Sequence, residues 1–219
     1  MGWMERLSII RNKAKDETPV RFGNSTDIWP GGEESYSSYG VPWANLSNTP
    51  FRLYKGWIHE GGIATPFIAH WPAGMKVEPG SLHRSPWQLP DVMASLLEIA
   101  DAPYPSEYDG CDILPIEGRS FASVFSNLEV TRDAPLFWEH EGNAGVRDGS
   151  WKLVREFSLN GELPMDDPKA WELYDLSGDR TESEDLSDEM PERVSQLLDA
   201  YLEWARRCHV LDYPKVREL

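Results

Sequence analysis

The feature that most constrains the fold lies near the end of the chain. From Pro191 to Arg207, Val194, Leu197, Leu198, Tyr201, Leu202 and Ala205 recur at helical spacing, which gives a helix one apolar face that must be covered. Just upstream, Pro135 to His140, Ala144 to Arg147, Trp151 to Phe157 and Trp171 to Leu176 read as short strands. Asp148-Gly149 separates two of them as a hairpin turn. The arrangement that buries both patterns is a small antiparallel sheet packed by the C-terminal helix. Trp138, Trp151, Trp171 and Trp204 fall on these elements, where large rings seal a small core.

The first half is less regular. Residues 1–50 are rich in Gly, Pro, Ser and Asn, and a segment that long without periodicity is functional, disordered or cut from its packing context. The last two readings are favoured, with residues 1–40 as loop or disorder. The run IATPFIAHW from Ile63 to Trp71 is apolar but contains Pro66, which suits a strand entrance or edge. Pro90 to Ala100 opens with Pro and Asp and repeats apolar residues at Val92, Leu96, Ile99 and Ala100, the pattern of a short amphipathic helix. GRSFASVF, from Gly118 to Phe125, predicts a second one. The pattern changes near Val130, so the chain divides into residues 1–130 and 131–219, and the fold class is α/β.

Composition removes several classes of function. Forty per cent apolar residues and ten tryptophans argue for a folded chain, and a net charge of -16 opposes nonspecific attraction to nucleic acid or anionic lipid. The opening MGWMERLSIIRNKAKDETP has no uninterrupted apolar core of a signal peptide. No run approaches the roughly 20 apolar residues that span a bilayer. Cys111 and Cys208 permit at most one disulfide and no metal cluster. The five histidines show neither H-E-x-x-H nor paired short spacing. An EF-hand reading of the acidic stretch from Asp175 fails, because Arg180 and Leu186 occupy its sixth and twelfth positions. A solvated turn before the last helix is the plainer account.

The chemistry centres on Tyr54 to Pro72, YKGWIHEGGIATPFIAHWP. Lys55 precedes Gly56 and the Gly61-Gly62 pair, residues that permit close backbone approach and positive φ where a loop wraps a ligand. An ammonium there suits an anion such as a sulfate or phosphate ester. The fuller run NTPFRLYKGWIHEGGIATPFIAHWPAG resembles the second signature of type I sulfatases, K-G-x-x-x-E-G-G leading to W-P-x-G, through Lys55, Gly56, Glu60, Gly61, Gly62, Pro66, Trp71, Pro72 and Gly74. PDVMASLLEIADAPYP, LPIEGRSFASVF, DAPLFWEHEGNAGVRDGSWKLV and WELYDLSGDRTESEDLS follow in the family's order, and bacterial arylsulfatases are the most similar branch.

The resemblance implies the C-terminal part of a sulfatase and alkaline phosphatase fold, and hydrolysis of a sulfate monoester by the full-length protein. Lys55 is then the catalytic residue that contacts sulfate. His59, Trp57 and Trp43 are candidate substrate-binding residues, with a loop-fixing histidine the competing account of His59. The ligand would be a sulfated small molecule or glycan, with no nucleic acid or membrane partner. The family also implies calcium and a formylglycine nucleophile, yet no C-x-P-x-R or S-x-P-x-R occurs here. Cys111 is followed by DILP and Cys208 by HVLD, and the calcium-binding aspartates have no match, so no metal ligand is assigned. Gln88 stands where family members commonly carry a histidine. The expectation is a truncated form that is inactive alone, from a parent that could be periplasmic or secreted. The alternatives are a phosphonate or phosphodiester hydrolase of the same superfamily, and a non-catalytic remnant that binds sulfated ligands.

Overall fold

The computed structural model describes residues 12–126, 130–157, 163–211 and 213. Its organising element is a four-stranded antiparallel sheet. Within it β5 (Leu136–His140), β6 (Asn143–Asp148), β7 (Trp151–Arg155) and β8 (Glu172–Asp175) pair in sequence order. Before it come the two-residue strands β1 (Arg21–Phe22) and β2 (Ser35–Tyr36), then the helices α1 (Val41–Ser47), α2 (Glu60–Ile63) and α3 (Leu89–Ile99). A further short pair, β3 (Glu107–Tyr108) and β4 (Cys111–Asp112), follows α3, and α4 (Pro191–Arg207) closes the order.

Both tight connections of the sheet use backbone that glycine favours. His140 pairs with Asn143, leaving Glu141 and Gly142 as a two-residue turn at φ 52° and 85°. Positive φ at both central positions matches the right-handed twist of the flanking strands. At the next turn Asp148 remains in the ladder opposite Trp151, so the loop is Gly149-Ser150 rather than Asp148-Gly149, with Gly149 at φ 60°.

Alternation assigns each strand residue to a face. Ala144, Val146, Leu153 and Leu173 lie against Val194, Leu197, Leu198 and Tyr201 of α4, with Trp171, Trp151 and Trp204 around them. Phe137 stacks on Trp204 with ring centroids 5.2 Å apart. The helix ends where the sequence places them, with Pro191 in the first turn and Arg206 and Arg207 in the last. The opposite face is covered too. Val154, Tyr174 and Leu176 bury Ile58, with Trp138 and Ile63 beside it. The sheet is therefore a middle layer, and the loop before α2 is its second cover.

Three expectations upstream are corrected. Residues 64–71 form no strand: Thr65 N–H turns back to Ile63 O at 2.8 Å, Pro66 has no N–H to give, and Phe67 and Ile68 are exposed. The helix of PDVMASLLEIA forms, but its anchoring residues are polar. Asp91 and Ser95 are its buried residues, while Leu96 lies exposed with Leu89 and Met93. Asp91 accepts from Gln88 N–H (2.6 Å), Arg119 N–H (2.7 Å) and Arg132 Nη1 (2.7 Å). Ser95 Oγ accepts from Phe121 N–H at 2.9 Å. Gln88 thus serves as the helix cap, in a reciprocal capping box with Asp91. GRSFASVF gives a 3-10 turn, Ala122–Ser126, preceded by buried Phe121.

If α4 covers the sheet as described, Leu197→Ala leaves a cavity beneath it and destabilises the chain by about 2–5 kcal/mol in urea unfolding. A loss below about 1 kcal/mol would show that this face is not the core.

Candidate functional site

The signature loop runs from Arg52 into α2, and its glycines do two different jobs. Gly56 sits at φ 105°, a left-handed conformation that side chains resist, and turns the chain immediately after Lys55. Gly61 and Gly62 need room instead. A Cβ on Gly61 would collide with the carbonyl oxygens of Arg52 and Leu53, and one on Gly62 with that of Trp57. The backbone packs on itself here through Gly61 N–H to Arg52 O (3.1 Å), Gly62 N–H to His59 O (2.8 Å) and Trp57 N–H to Tyr54 O (3.1 Å). Asn143 Nδ2 on β6 donates to Gly56 O at 2.9 Å and ties the turn to the sheet.

Lys55 stands exposed on that turn, and its ammonium makes no hydrogen bond or ion pair among the described residues. Trp57 is half-buried and meets Tyr54 edge-on, with centroids 6.4 Å apart. Trp43 is exposed on α1; its helix leads into the loop through Asn48, whose Nδ2 donates to Leu53 O at 2.9 Å. The structure brings Lys55, Trp57 and His59 onto one loop. It shows no ring contact between Trp43 and that loop among the described residues.

His59 is 1 % exposed. Its Nε2 lies 3.1 Å from Glu172 Oε2 and its ring 6.3 Å edge-on to Tyr174, while Nδ1 has no partner among the described residues. Tyr174 Oη donates to the same Glu172 oxygen at 2.6 Å, and Arg52 Nη1 reaches Tyr174 Oη at 3.3 Å and Glu182 O at 2.8 Å. Burial alone would raise the Glu172 carboxyl, but the hydrogen bonds from His59 and Tyr174 outweigh it and lower the pKa. Burial, and then the bond to Glu172, pushes the Tyr174 phenol far up and keeps it a donor.

Beneath α2 lies an ion cluster that the motif reading missed. Lys152, 0 % exposed on β7, places Nζ 3.2 Å from Glu60 Oε1 and 2.7 Å from Glu182 Oε1. The shorter contact satisfies the distance of an ion pair without the angles of a hydrogen bond. Glu182 Oε2 accepts from Glu60 N–H at 2.7 Å, and Arg180 Nη2 approaches Glu60 Oε2 at 3.3 Å from the rim. For Glu60, burial works against ionisation, yet Lys152, Arg147 and Arg180 together hold the carboxyl below its ordinary value. Glu182 corrects the reading of the acidic stretch as solvated: it is 0 % exposed. The turn is folded by Asp179, whose side chain accepts from the N–H groups of Ser183 (2.7 Å) and Glu184 (2.9 Å). The available signal was the alternation of Trp151-Lys152-Leu153-Val154, which puts Lys152 on the same face as a buried valine.

The calcium that the sequence resemblance implies requires several converging oxygen ligands. No three His, Cys, Asp or Glu side chains converge among the described residues, so these residues do not fit that site. Both cysteines are free and exposed, and neither begins a C-x-P-x-R motif.

The carboxyls of Glu60 and Glu172 lie below their ordinary 4.5 in the folded state. Each therefore contributes stability above that value that is lost as pH falls through the lower, folded one. The urea midpoint should fall as the pH is taken down through and below the ordinary 4.5, and Glu60→Gln should reduce that fall. A pH dependence unchanged by the substitution would contradict the assignment.

No protein-family model matches the chain. It is similar to an uncharacterized sulfatase of Schizosaccharomyces pombe, 30 % identical over 215 residues that cover 96 % of this chain and 36 % of the relative. The steryl-sulfatase of Mus musculus is 32 % identical over 225 residues, covering 94 % of this chain and 34 % of its own length. A sulfatase of Formosa agariphila is 29 % identical over 205 residues, 82 % of this chain and 36 % of that protein. The chain thus spans about a third of the length of the curated relatives it matches. Together with the K-G-x-x-x-E-G-G run at Lys55 to Gly62, these similarities establish that the chain belongs to the sulfatase family.

Proposed function

We propose that the protein hydrolyses sulfate monoesters and that this chain supplies the cation that contacts the sulfate, Lys55. The observation that carries the reading is the placement of that ammonium: exposed, and without a partner among the described residues, on a turn whose backbone is fixed by Gly56, Gly61 and Gly62. A point charge held ready in this way stabilises negative charge on the transferring group or its leaving oxygen without reorganising during reaction. Trp57 and Trp43 supply aromatic faces for an aryl group or a sugar ring, and the ligand is a sulfated small molecule or glycan. His59, closed off by Glu172 and Tyr174, serves that ligand by fixing the loop rather than by touching it.

In the family chemistry the nucleophile is formylglycine and calcium binds the sulfate. The described residues fit neither, so Lys55 polarises an ester that groups outside them attack. The division near Val130 assigns the loop to the tail of a catalytic domain and the sheet with α4 to a C-terminal subdomain.

The test replaces the matching third of an active sulfatase relative with this chain and assays 4-nitrophenyl sulfate. The chimera should turn over, and Lys55→Ala should lower kcat/KM by about 100-fold or more. A Lys55→Ala chimera as active as its parent chimera would refute the contact. The 219-residue chain alone should show no turnover, and calcium-dependent turnover by it would refute the placement of the nucleophile elsewhere.

A further inference from the structure

We propose that Lys152 and Glu182 are positioning residues for the sulfate contact: by clamping Glu60 they lock the signature loop onto the sheet and set where the Lys55 ammonium stands. The inference rests on the reading of Lys55 as that contact.

Nothing within the loop is long enough to fix its position alone. Its own hydrogen bonds fold it locally, through Trp57 to Tyr54 and Gly61 to Arg52. Its attachment to the sheet is made by a few groups: Arg52 on Tyr174, Ile58 in the apolar cluster, Asn143 on Gly56, His59 on Glu172, and Glu60 on Lys152. Glu60 differs from the others because both its backbone and its side chain are engaged. Its N–H is taken by Glu182 and its carboxylate by Lys152 and Arg180. A buried cation between two buried carboxylates tolerates little displacement, since separating any member leaves an uncompensated charge out of water. The last atoms of the loop are thereby pinned, and Gly61 hands that constraint back to Arg52, at the loop's entrance.

The consequence for function follows from distance. Transition-state stabilisation depends on an ammonium standing within hydrogen-bond reach of one oxygen, and a displacement of about 1 Å lowers the rate by up to about 100-fold. Lys55 has no partner of its own among the described residues to hold it. Its position is inherited from the turn, and the turn's from the clamp. The C-terminal sheet is accordingly part of the sulfate site although none of its side chains is assigned to touch the substrate.

The experiment is hydrogen exchange on the full chain, read at the Trp57 and Gly61 amides of the loop and at the Val146 and Leu153 amides of the sheet. Glu60→Gln keeps the Lys152–Glu182 pair within the cluster and removes the charge by which the loop is attached. It should raise exchange at Trp57 and Gly61 by about tenfold or more and leave Val146 and Leu153 within about twofold of wild type. Arg180→Ala, a milder variant at a half-exposed rim position, should shift the same loop amides by a smaller factor. In Glu60→Gln/Lys152→Met/Glu182→Gln, which leaves no buried charge of the cluster unpaired, the loop amides should exchange no faster than in Glu60→Gln, because the three residues act through one attachment.

Equal increases in loop and sheet, or no increase in the loop, would overturn the clamp. If Glu60→Gln fails to fold, Arg180→Ala decides by the same comparison. A loosened loop combined with an indifferent Lys55→Ala in the turnover assay would leave the clamp standing and refute the sulfate contact. The opposite pair of results would refute the clamp alone.

Discussion

Much of the structure depends on one buried charge, the ammonium of Lys152. It sits on β7, fully enclosed, with Glu60 arriving from the signature loop and Glu182 from the turn after β8. Three segments distant in sequence meet there. Burying an ion is expensive unless the partners are well placed, and breaking such a group by removing one member costs about 3–5 kcal/mol. Such a cluster contributes little net stability and much geometric definition. Around it the apolar contacts of Ile58, Val154 and Tyr174 supply the burial that the charges do not.

The layering explains how a small sheet can serve a site. One face of the strands is apolar and meets α4, as alternation requires. The other face is mixed. Gly145 gives room for Ile58, Val154 packs against it, and Lys152 and Glu172 engage the two consecutive residues Glu60 and His59. The Glu60 and His59 of the motif are therefore structural partners of the sheet, while Lys55, a turn earlier, is left facing outward.

The sequence made the lower face legible and the upper one opaque. Periodicity is a property of single elements, so α4 and the four strands could be read from Val194, Leu197, Leu198 and Tyr201 and from the strand segments themselves. Burial of Lys152 and Glu182 was less legible: alternation puts Lys152 on the face of Val154 but does not say what covers that face. A lysine in a strand and a glutamate in an acidic run are ordinarily solvated, and only the return of the loop across the sheet takes them out of water. Asp91 and Ser95 misled for the same reason, since helix periodicity rewards apolar faces and α3 is docked by hydrogen bonds. The sequence offers close backbone approach and positive φ for all three glycines of the loop, and the structure divides the two: close packing at Gly61 and Gly62, positive φ at Gly56. Residues 64–71 show how an apolar run fails as a strand when no ladder is offered to it.

The most direct test of the central claim is nitrogen-detected NMR of the lysine ammonium groups in the full chain. The account predicts that Lys152 gives a signal protected from exchange with water, with through-space contacts to the side chains of Glu60 and Glu182, while the Lys55 ammonium exchanges as an exposed group. A Lys152 ammonium that exchanges as fast as that of Lys55, or lacks contacts to Glu60, would contradict it.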